Sequence, residues 1–213
     1  MSSQQQTEFI FGGSFDPVHL GHINLLIHLK QFFPSWGIRV LPCANPPLKQ
    51  ATLASFSHRV AMLKLGLEHL EKITIDQRED QRSGKSFTYH SLRDLRTENP
   101  DIKLVLVLGA DAMKSINQWY RVADLSQLCH LVIVNRPRTL LSQLESNLQQ
   151  LGFNCALSKQ ELELEAFGRY HCLTVEERDI SSTEIRERLA ENQSIEHLVS
   201  SCVINYIDDN HPY

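Results

Sequence analysis

Apolar segments with two different periods alternate along the chain. Short, mainly apolar runs, which are typical of buried strands, occupy residues 9–11, 38–42, 73–75, 103–109 and 130–135. Amphipathic segments with the 3.6-residue period of helices follow these runs, and a helical part begins at about residue 180. This alternation predicts an α/β fold, a doubly wound parallel sheet with right-handed crossovers. Between residues 152 and 175 the periodicity is poor and predicts no element.

The first predicted strand ends in a glycine turn that leads into a helix. Gly12 and Gly13 follow the apolar run, and the helical period begins near Leu20. Because glycine has no Cβ, a phosphate group can approach the backbone at such a turn. The free N–H groups and the positive dipole end of the following helix face the same space. The sequence therefore predicts an anion-binding turn.

Two histidines stand at this predicted helix start. His19 and His22 would share one face of the helix if both were helical. Imidazole donors beside a helix N-terminus suit a polyphosphate, whose charge shifts during phosphoryl or nucleotidyl transfer. The pair could equally be surface residues or half of a metal site, although no Cys or Asp/Glu cluster lies nearby in sequence.

Hydroxyl groups crowd the start of another predicted helix. Ser181, Ser182 and Thr183 lie there, and Arg186 follows one helical turn later. A Ser or Thr in this position often caps the helix, which is a purely structural role, and Ser182 or Thr183 is the expected cap. Hydroxyls, backbone N–H groups and a guanidinium together also suit the oxygens of a phosphate.

Polar residues also follow other predicted strands. Ligands of open α/β sheets bind beyond the carboxyl ends of the strands, so we expect these residues at one edge of the sheet. Each has a structural alternative: a rigid loop around Asn45, a helix cap for Asp111 and a surface turn for Arg136. The residues are Asn45 and Lys49 after the second strand, Asp111 after the fourth and Arg136 after the fifth.

Composition and charge exclude several classes of protein. The 213 residues suit a single domain with a disordered polar tail at residues 1–8, and the net charge of −4 gives no basic field for nucleic acid. Five scattered cysteines indicate reduced thiols in a cytoplasmic protein rather than a zinc site. The chain shows neither a signal peptide nor an apolar run near the ~20 residues of a membrane span. A homo-oligomer is left open.

Two motifs resemble those of a known superfamily. Residues 12–22 read Gly-Gly-Ser-Phe-Asp-Pro-Val-His-Leu-Gly-His, which resembles the signature of the nucleotidyltransferases with a His-x-Gly-His motif. Residues 180–186 match their second motif, Ile-Ser-Ser-Thr-x-x-Arg. The rest of the chain resembles the bacterial nicotinate-mononucleotide adenylyltransferase family, at residues 42–49, 86–89, 109–120 and 136–137. The chain departs from that family at Leu48, where His is usual.

This resemblance implies a Rossmann-like nucleotidyltransferase domain that acts in NAD biosynthesis. The enzyme would transfer AMP from ATP to nicotinate mononucleotide, with deamido-NAD and pyrophosphate as products. Mg²⁺ would enter bound to ATP rather than at a metal site formed by the protein. The same resemblance implies that the catalytic residues are His19, His22 and Arg186. It implies that ATP is bound by Gly12, Gly13, Ser14, Phe15, Gly21, Ser182 and Thr183. It also implies that nicotinate mononucleotide is bound by Asn45, Lys49, Thr88, Asp111, Trp119, Tyr120 and Arg136.

Other functions compete with this hypothesis. A sister adenylyltransferase could act on another phosphorylated acceptor, nicotinamide mononucleotide or phosphopantetheine, although residues 86–89 and Trp119 argue against the latter. A nucleotide sensor would have no need of His19, His22 and Arg186, and a metal hydrolase would need further ligands. Trp119 also has a structural alternative, since tryptophan is often largely buried in a core.

Overall fold

The computed structural model describes residues 6–48, 51–135, 141–175 and 180–213. Two predicted nucleotide-binding residues, Lys49 and Arg136, lie outside these ranges, and only the backbone of Asp111 is described. Thr7 and Glu8, which were predicted to belong to the polar tail, instead begin the first strand, and both are buried. The strand therefore starts earlier than its apolar run.

Strands and helices alternate through the described residues. The strands are β1 (Thr7–Gly13), β2 (Gly37–Pro42), β3 (Ile73–Ile75), β4 (Lys103–Gly109), β5 (His130–Asn135), β6 (Asn154–Cys155) and β7 (Arg169–Thr174). The helices are α1 (Leu20–Phe32), α2 (Phe56–Leu67), α3 (Thr88–Glu98), α4 (Ala110–Lys114), α5 (Leu141–Gln150), α6 (Lys159–Leu164), α7 (Ser182–Ala190) and α8 (Ser201–Asn210). Short 3-10 helices cover Ile116–Gln118 and Val122–Gln127. The five predicted strands are confirmed.

The strands form one seven-stranded sheet in the order β3-β2-β1-β4-β5-β7-β6. β4 runs parallel to β1 and to β5, with Val105 opposite Phe9 on one side and His130 on the other. From β1 the chain adds β2 and β3 in one direction and β4 onward in the other, which is the topology of a doubly wound fold. The predicted fold class is confirmed.

The segment between residues 152 and 175 contains two strands that periodicity did not reveal. β6 has two residues, both exposed, and β7 buries only Tyr170 and Leu173. Neither strand has a continuous apolar run or a regular alternation, so the hydrophobic pattern carries no signal. Pairing holds β7 in place, since it runs parallel to β5 with Tyr170 opposite Leu131.

The chain forms two compact units, each built from several segments. Unit 1 comprises Met1–Phe11, Trp36–Ile38 and Phe87–Glu176. Unit 2 comprises Gly12–Ser35, Arg39–Ser86 and Glu177–Tyr213. The single domain expected from the sequence stays a prediction.

Close packing in unit 2 joins α2 to α8. A Cβ at Gly66 would lie 3.3 Å from a methyl group of Val18 and 3.5 Å from one of Val203, so glycine allows the close approach. His58 Nδ1 and the Tyr206 hydroxyl also form a hydrogen bond of 2.9 Å between the two helices. α8, which follows the helix of the second motif along the chain, is therefore packed into the core of unit 2.

By residue type, Ser57 is predicted to cap α2, and Ser86 or Thr88 to cap α3; both predictions are wrong. Ser55, not Ser57, caps α2, because its hydroxyl accepts the backbone N–H of His58 at 3.3 Å. Neither Ser86 nor Thr88 caps α3: the Ser86 hydroxyl accepts from Asn45 and Thr88 is already helical. Several hydroxyls lie near each start, and sequence alone does not show which backbone is extended.

Candidate active site

A reciprocal pair of hydrogen bonds joins two histidines at the start of α1. His19 is the N-cap residue, with an extended backbone, and its Nδ1 accepts the N–H of His22 at 3.4 Å. Nδ1 of His22 accepts the N–H of His19 at 3.3 Å. This is a capping box in which imidazoles replace the usual hydroxyl and carboxylate. His19 therefore precedes α1 as its cap, and only His22 is helical.

The capping bonds fix the protonation of both imidazoles. A ring nitrogen that accepts an N–H carries no proton, so the proton of each ring resides on Nε2. The rings of His19 and His22 stack with their centroids 3.6 Å apart. Burial lowers the pKa of His19 to about 4, so that this ring is neutral at physiological pH. The helix start thus holds two Nε2–H donors.

We expect the protein to lose stability as the pH falls from about 6.5 to about 4. Folding lowers the pKa of His19 from 6.5 to about 4, so within this window the unfolded chain binds more protons and the free energy of unfolding decreases. His19 accounts for about 3 kcal/mol of this loss at most. Urea unfolding at pH 7 and pH 5 measures the loss. Burial lowers the pKa of His130 to about 4 as well, so His130→Gln should remove the part that His130 adds and leave the part from His19. A variant without any remaining pH-dependent loss would contradict the contribution of His19.

Gly21 presents a backbone N–H at the same helix start. The N–H of Leu20 donates to the carbonyl of Leu198 at 2.9 Å, and that of His22 is taken by His19. The N–H of Gly21 bonds to no residue in the part of the chain that the structure describes. The groups at this helix start that could bind an anion are therefore the backbone N–H of Gly21 and the two imidazoles.

Phe15 lies under the histidine pair. Its ring contacts His22 edge-on at 5.0 Å between centroids and is 2% exposed. Its backbone has a φ of +49°, in the left-handed region that is costly for a residue with a Cβ. The Phe15 ring therefore packs against the His22 ring. The predicted role of Phe15 in ATP binding stays a prediction.

The two glycines of the turn should respond differently to an added methyl group. A Cβ at Gly13 would lie 2.9 Å from the buried Phe15 ring, whereas a Cβ at Gly12 would have only the Leu41 carbonyl oxygen near it, at 3.9 Å. We expect Gly13→Ala to destabilise the protein by about 1–3 kcal/mol through overpacking. Gly12→Ala is the matched control and should leave the melting temperature nearly unchanged. Equal melting temperatures for both variants would contradict the tight packing.

The second motif forms the start of α7. Ser181 is the cap, since its hydroxyl accepts the N–H of Glu184 at 3.1 Å, so the expected cap at Ser182 or Thr183 is wrong. Ser182 instead donates its hydroxyl to the carbonyl of Pro17 at 3.0 Å. α7 is thereby attached to the loop between β1 and α1.

Arg186 is attached to the same loop. Its Nη1 donates to the backbone carbonyl of Asp16 at 2.7 Å, and its Nη2 donates to the Thr183 hydroxyl at 3.2 Å. The Asp16 carboxylate lies further away, with Oδ2 3.8 Å from Nη1. Unit 2 thus brings together the two motifs, as the sequence predicted for His19, His22 and Arg186.

Two charged residues of this cluster were missed as functional candidates. The Asp16 carboxylate is 4% exposed and accepts the N–H groups of Leu53 at 2.9 Å and Ala54 at 3.1 Å. Arg59, 1% exposed, donates to the carbonyl of Ser14 at 2.6 Å. Burial lowers the pKa of Arg59, and the charge of Asp16 opposes that shift. An arginine on the apolar face of α2 was the available signal.

The start of α3 in unit 1 holds the residues predicted to bind the nicotinate ring. No side chain caps this helix, and the N–H groups of Thr88 and Tyr89 have no hydrogen-bond partner among residues 6–48, 51–135, 141–175 and 180–213. Tyr120 stacks on Phe87 with centroids 4.6 Å apart and contacts His90 at 5.3 Å. Two free amides therefore stand beside an aromatic cluster, to which sequence reasoning had not assigned Phe87 or His90.

Trp119 directly precedes Tyr120 in sequence and is not part of the core. Its side chain is half-buried, and no ring contact or side-chain hydrogen bond joins it to other described residues. Its backbone closes the 3-10 helix through a bond from its N–H to the carbonyl of Ile116 at 3.0 Å. The structural alternative of a buried core tryptophan does not apply.

Asn45 makes local hydrogen bonds, and only the backbone of Asp111 is described. The Asn45 side chain donates to the Gly84 carbonyl at 3.1 Å, and its backbone N–H donates to the Ser86 hydroxyl at 3.0 Å. Gly109, not Asp111, is the cap residue of α4. Their predicted contacts with the nicotinate nucleotide stay predictions, as do those of Lys49 and Arg136, which are not described.

A family model and individual relatives match this chain. The model described as Cytidylyltransferase-like matches residues 10–188. A protein of Hahella chejuensis is 34% identical over 206 residues, covering 96% of this chain and 94% of its own. A protein of Cellvibrio japonicus is 36% identical over 215 residues, covering 96% and 97%. Both are named "Probable nicotinate-nucleotide adenylyltransferase".

The chain belongs to the nicotinate-nucleotide adenylyltransferases of the Cytidylyltransferase-like family. It is an enzyme that transfers nucleotidyl groups, as the two motifs predicted. Solved structures of this family share the fold. Plasmodium falciparum nicotinic acid mononucleotide adenylyltransferase complexed with NaAD superposes with a TM-score of 0.71 at 22% identity, covering 96% of this chain and 95% of that one. The same enzyme complexed with APC gives 0.70 at 21%, covering 97% and 96%.

Two general features bear on how this adenylyltransferase works. Within the described parts of the chain, no group of three or more His, Cys, Asp or Glu side chains could hold a metal ion. In those same parts, no helix is long and apolar enough to cross a membrane. The side chain of Leu48 is 49% exposed and has no polar group.

Proposed function

We propose that this enzyme transfers AMP from ATP to nicotinate mononucleotide, forming deamido-NAD and pyrophosphate. The observation that carries the proposal is the capping box of His19 and His22, which fixes two Nε2–H donors in the unit that also holds Arg186. Donors fixed in advance stabilise charge that develops during the reaction, and they cost no reorganisation at that moment. Full-length relatives with the corresponding name support the same reaction.

ATP is assigned to unit 2. Arg186, Ser182 and Thr183 would hold the β- and γ-phosphates, which leave as pyrophosphate. The Nε2–H groups of His19 and His22, with the free N–H of Gly21, would bind oxygens around the α-phosphorus. As the bond to the leaving group breaks, charge shifts onto the α–β bridging oxygen and the donors gain strength there.

The enzyme needs no general base for this transfer. The phosphate of nicotinate mononucleotide already carries negative charge at neutral pH and attacks the α-phosphorus directly. Catalysis then consists of positioning and electrostatic stabilisation, as in other phosphoryl transfers. The neutral state of His19 fits this role, because a capping imidazole with a pKa of about 4 remains a donor rather than a proton acceptor at Nε2.

The nicotinate group is assigned to unit 1. A carboxylate can accept both free N–H groups at the start of α3, those of Thr88 and Tyr89, and the positive end of the helix dipole favours its charge. The amide of nicotinamide carries no charge and gains less there. Trp119 supplies a ring face for stacking, and Tyr120 on Phe87 forms an aromatic surface nearby.

Mg²⁺ is proposed to arrive as part of the substrate MgATP. The hard cation prefers oxygen ligands and retains several waters, so phosphate oxygens and water can hold it without a dedicated protein site. Its role would be to neutralise charge on the β- and γ-phosphates.

The reaction is tested by acceptor competition. Purified enzyme is incubated with MgATP and one acceptor at a time, and pyrophosphate is measured. We expect rapid release with nicotinate mononucleotide, slower release with nicotinamide mononucleotide and none with phosphopantetheine. Equal or faster release with nicotinamide mononucleotide would contradict recognition of the carboxylate by α3.

Trp119→Ala should raise the Michaelis constant for nicotinate mononucleotide. Aromatic stacking of this kind contributes ~1–3 kcal/mol, which corresponds to a rise of about 5-fold to 150-fold. The Michaelis constant for ATP and the melting temperature should change little, since Trp119 is only half-buried.

Trp36 provides the matched control for this experiment. It lies in the same unit but is 4% exposed and packs on Phe9 at 5.0 Å. Trp36→Ala should destabilise the protein by about 3–5 kcal/mol. If Trp119→Ala instead behaves like Trp36→Ala, with lower stability and damage to both Michaelis constants, the stacking role is wrong.

A further inference from the structure

Tyr213 completes the set of donors around the Asp16 carboxylate. Its hydroxyl donates to Asp16 Oδ1 at 3.1 Å, although the two residues are 197 positions apart in sequence. Burial raises the pKa of Tyr213, and the negative charge of Asp16 raises it further. The phenol therefore stays protonated and acts as a donor throughout the physiological pH range. This contact lies wholly within unit 2.

Arg186 forms only a loose ion pair with the Asp16 carboxylate. Asp16 Oδ1 accepts from Ala54 and Tyr213, and Oδ2 accepts from Leu53. Arg186 Nη1 is 3.8 Å from Oδ2, beyond hydrogen-bond length, and donates to the Asp16 carbonyl instead. No direct hydrogen bond therefore joins the guanidinium to the carboxylate.

We propose that Tyr213 is a positioning residue for ATP, which acts by keeping the Asp16 carboxylate from closing onto Arg186. Without the phenol hydroxyl, Oδ1 loses a donor inside a site where the carboxylate is 4% exposed. A buried carboxylate oxygen without a hydrogen-bond donor is energetically unfavourable, so we expect the Asp16 carboxylate to accept from another donor. Arg59 is 1% exposed and donates to the carbonyls of Ser14 and Ala54, whereas Arg186 is 25% exposed and has its Nη1 already 3.8 Å from Asp16 Oδ2, so Arg186 is the cation that we expect to move.

A direct salt bridge between Asp16 and Arg186 would weaken ATP binding. The guanidinium would turn from the Thr183 side toward the carboxylate, and its charge would be neutralised within the protein. The inference rests on the proposed function, in which Arg186 binds the β- and γ-phosphates. It adds Tyr213, which lies outside both motifs, as a residue whose hydroxyl affects how strongly Arg186 binds phosphate.

Calorimetry with MgATP tests the proposal on Tyr213→Phe and on a matched control, Tyr206→Phe. Tyr206 lies in α8 of the same unit, and its hydroxyl bonds to His58 Nδ1 at 2.9 Å. Each variant therefore loses one phenol hydroxyl hydrogen bond. We expect the MgATP dissociation constant to rise about tenfold in Tyr213→Phe, as for the loss of one hydrogen bond to a charged group, and to be unchanged in Tyr206→Phe. The Michaelis constant for nicotinate mononucleotide should be unchanged in both.

The role of Arg186 is isolated by a double variant. In an Arg186→Gln background, Tyr213→Phe should have no further effect on the MgATP dissociation constant, because the group that it positions is absent. Equal weakening in both backgrounds, or none in either, would overturn the proposal.

A crystal structure of Tyr213→Phe gives a second readout that needs neither ATP nor activity. The distance from Arg186 Nη1 to Asp16 Oδ2 should shorten from 3.8 Å to hydrogen-bond length. An unchanged distance would also overturn the proposal. An inactive wild-type enzyme, in contrast, would overturn the proposed function and leave this distance test intact.

Discussion

His22→Ala should lower kcat by a factor of about 10²–10³ and leave the MgATP dissociation constant nearly unchanged. The capping bond occupies His22 Nδ1, so the proton on Nε2 is fixed as a donor. An interaction that strengthens only as charge develops contributes to kcat rather than to substrate binding. Steady-state kinetics and calorimetry on the same preparation measure the two quantities. Turnover near the wild-type rate would show that His22 does not stabilise the transition state.

Two amide substitutions distinguish the roles of the two ring nitrogens of His22. The side chain of Asn reaches about as far as Nδ1, so His22→Asn can accept the N–H of His19 but has no donor at the Nε2 position. The longer side chain of Gln reaches the Nε2 position. We expect His22→Asn to be nearly as slow as His22→Ala, with better stability, and His22→Gln to recover part of the rate. The opposite order would show that the capping bond, not the donor, limits catalysis.

Asp16→Ala should destabilise the protein by about 3–5 kcal/mol, because it removes one partner from a buried charged network. The substitution leaves the N–H groups of Leu53 and Ala54 without their acceptor. It also leaves Arg59 and Arg186 without the nearby negative charge. Urea unfolding at pH 7 measures the change in the free energy of unfolding.

Asp76→Ala is the matched control for Asp16→Ala. Asp76 also pairs with two arginines, Arg39 at 2.9 Å and Arg78 at 2.8 Å, whose side chains are 20% and 15% exposed, whereas Arg59 beside Asp16 is 1% exposed. Water can therefore reach both arginines when the control removes their carboxylate. We expect a smaller loss of stability in Asp76→Ala and no change in MgATP binding. A loss in Asp16→Ala no greater than in the control would contradict a central role for Asp16.

The sequence predicted the part of the fold that hydrophobic runs encode. β4 is apolar after Lys103 and is buried along almost its whole length, so its pattern leaves little ambiguity. β7 is held by its pairing with β5 rather than by an apolar run of its own, and the single sequence gave no indication of it. Pairing between distant strands is a tertiary effect that local periodicity does not record.

The sequence predicted the two motifs of the candidate site but not the hydrogen bonds and charge interactions that join them to distant residues. His19, His22 and Arg186 stand in short patterns with a recognisable spacing. The role of Asp16 depends on Leu53, Ala54, Arg59, Arg186 and Tyr213, which are far from it in sequence. Helix caps failed for a related reason: Ser181, Ser182 and Thr183 have similar chemistry, and only the backbone conformation at Ser181 decides among them.

Tracing the α-phosphorus of ATP tests the central claim most directly. The enzyme is incubated with Mg²⁺, nicotinate mononucleotide and ATP that is radiolabelled at the α-phosphorus, and the products are separated. The account predicts that the label appears in deamido-NAD, in an amount equal to the pyrophosphate released, with none in pyrophosphate itself. Label in pyrophosphate, or in AMP without formation of the dinucleotide, would contradict transfer of AMP to the nicotinate nucleotide.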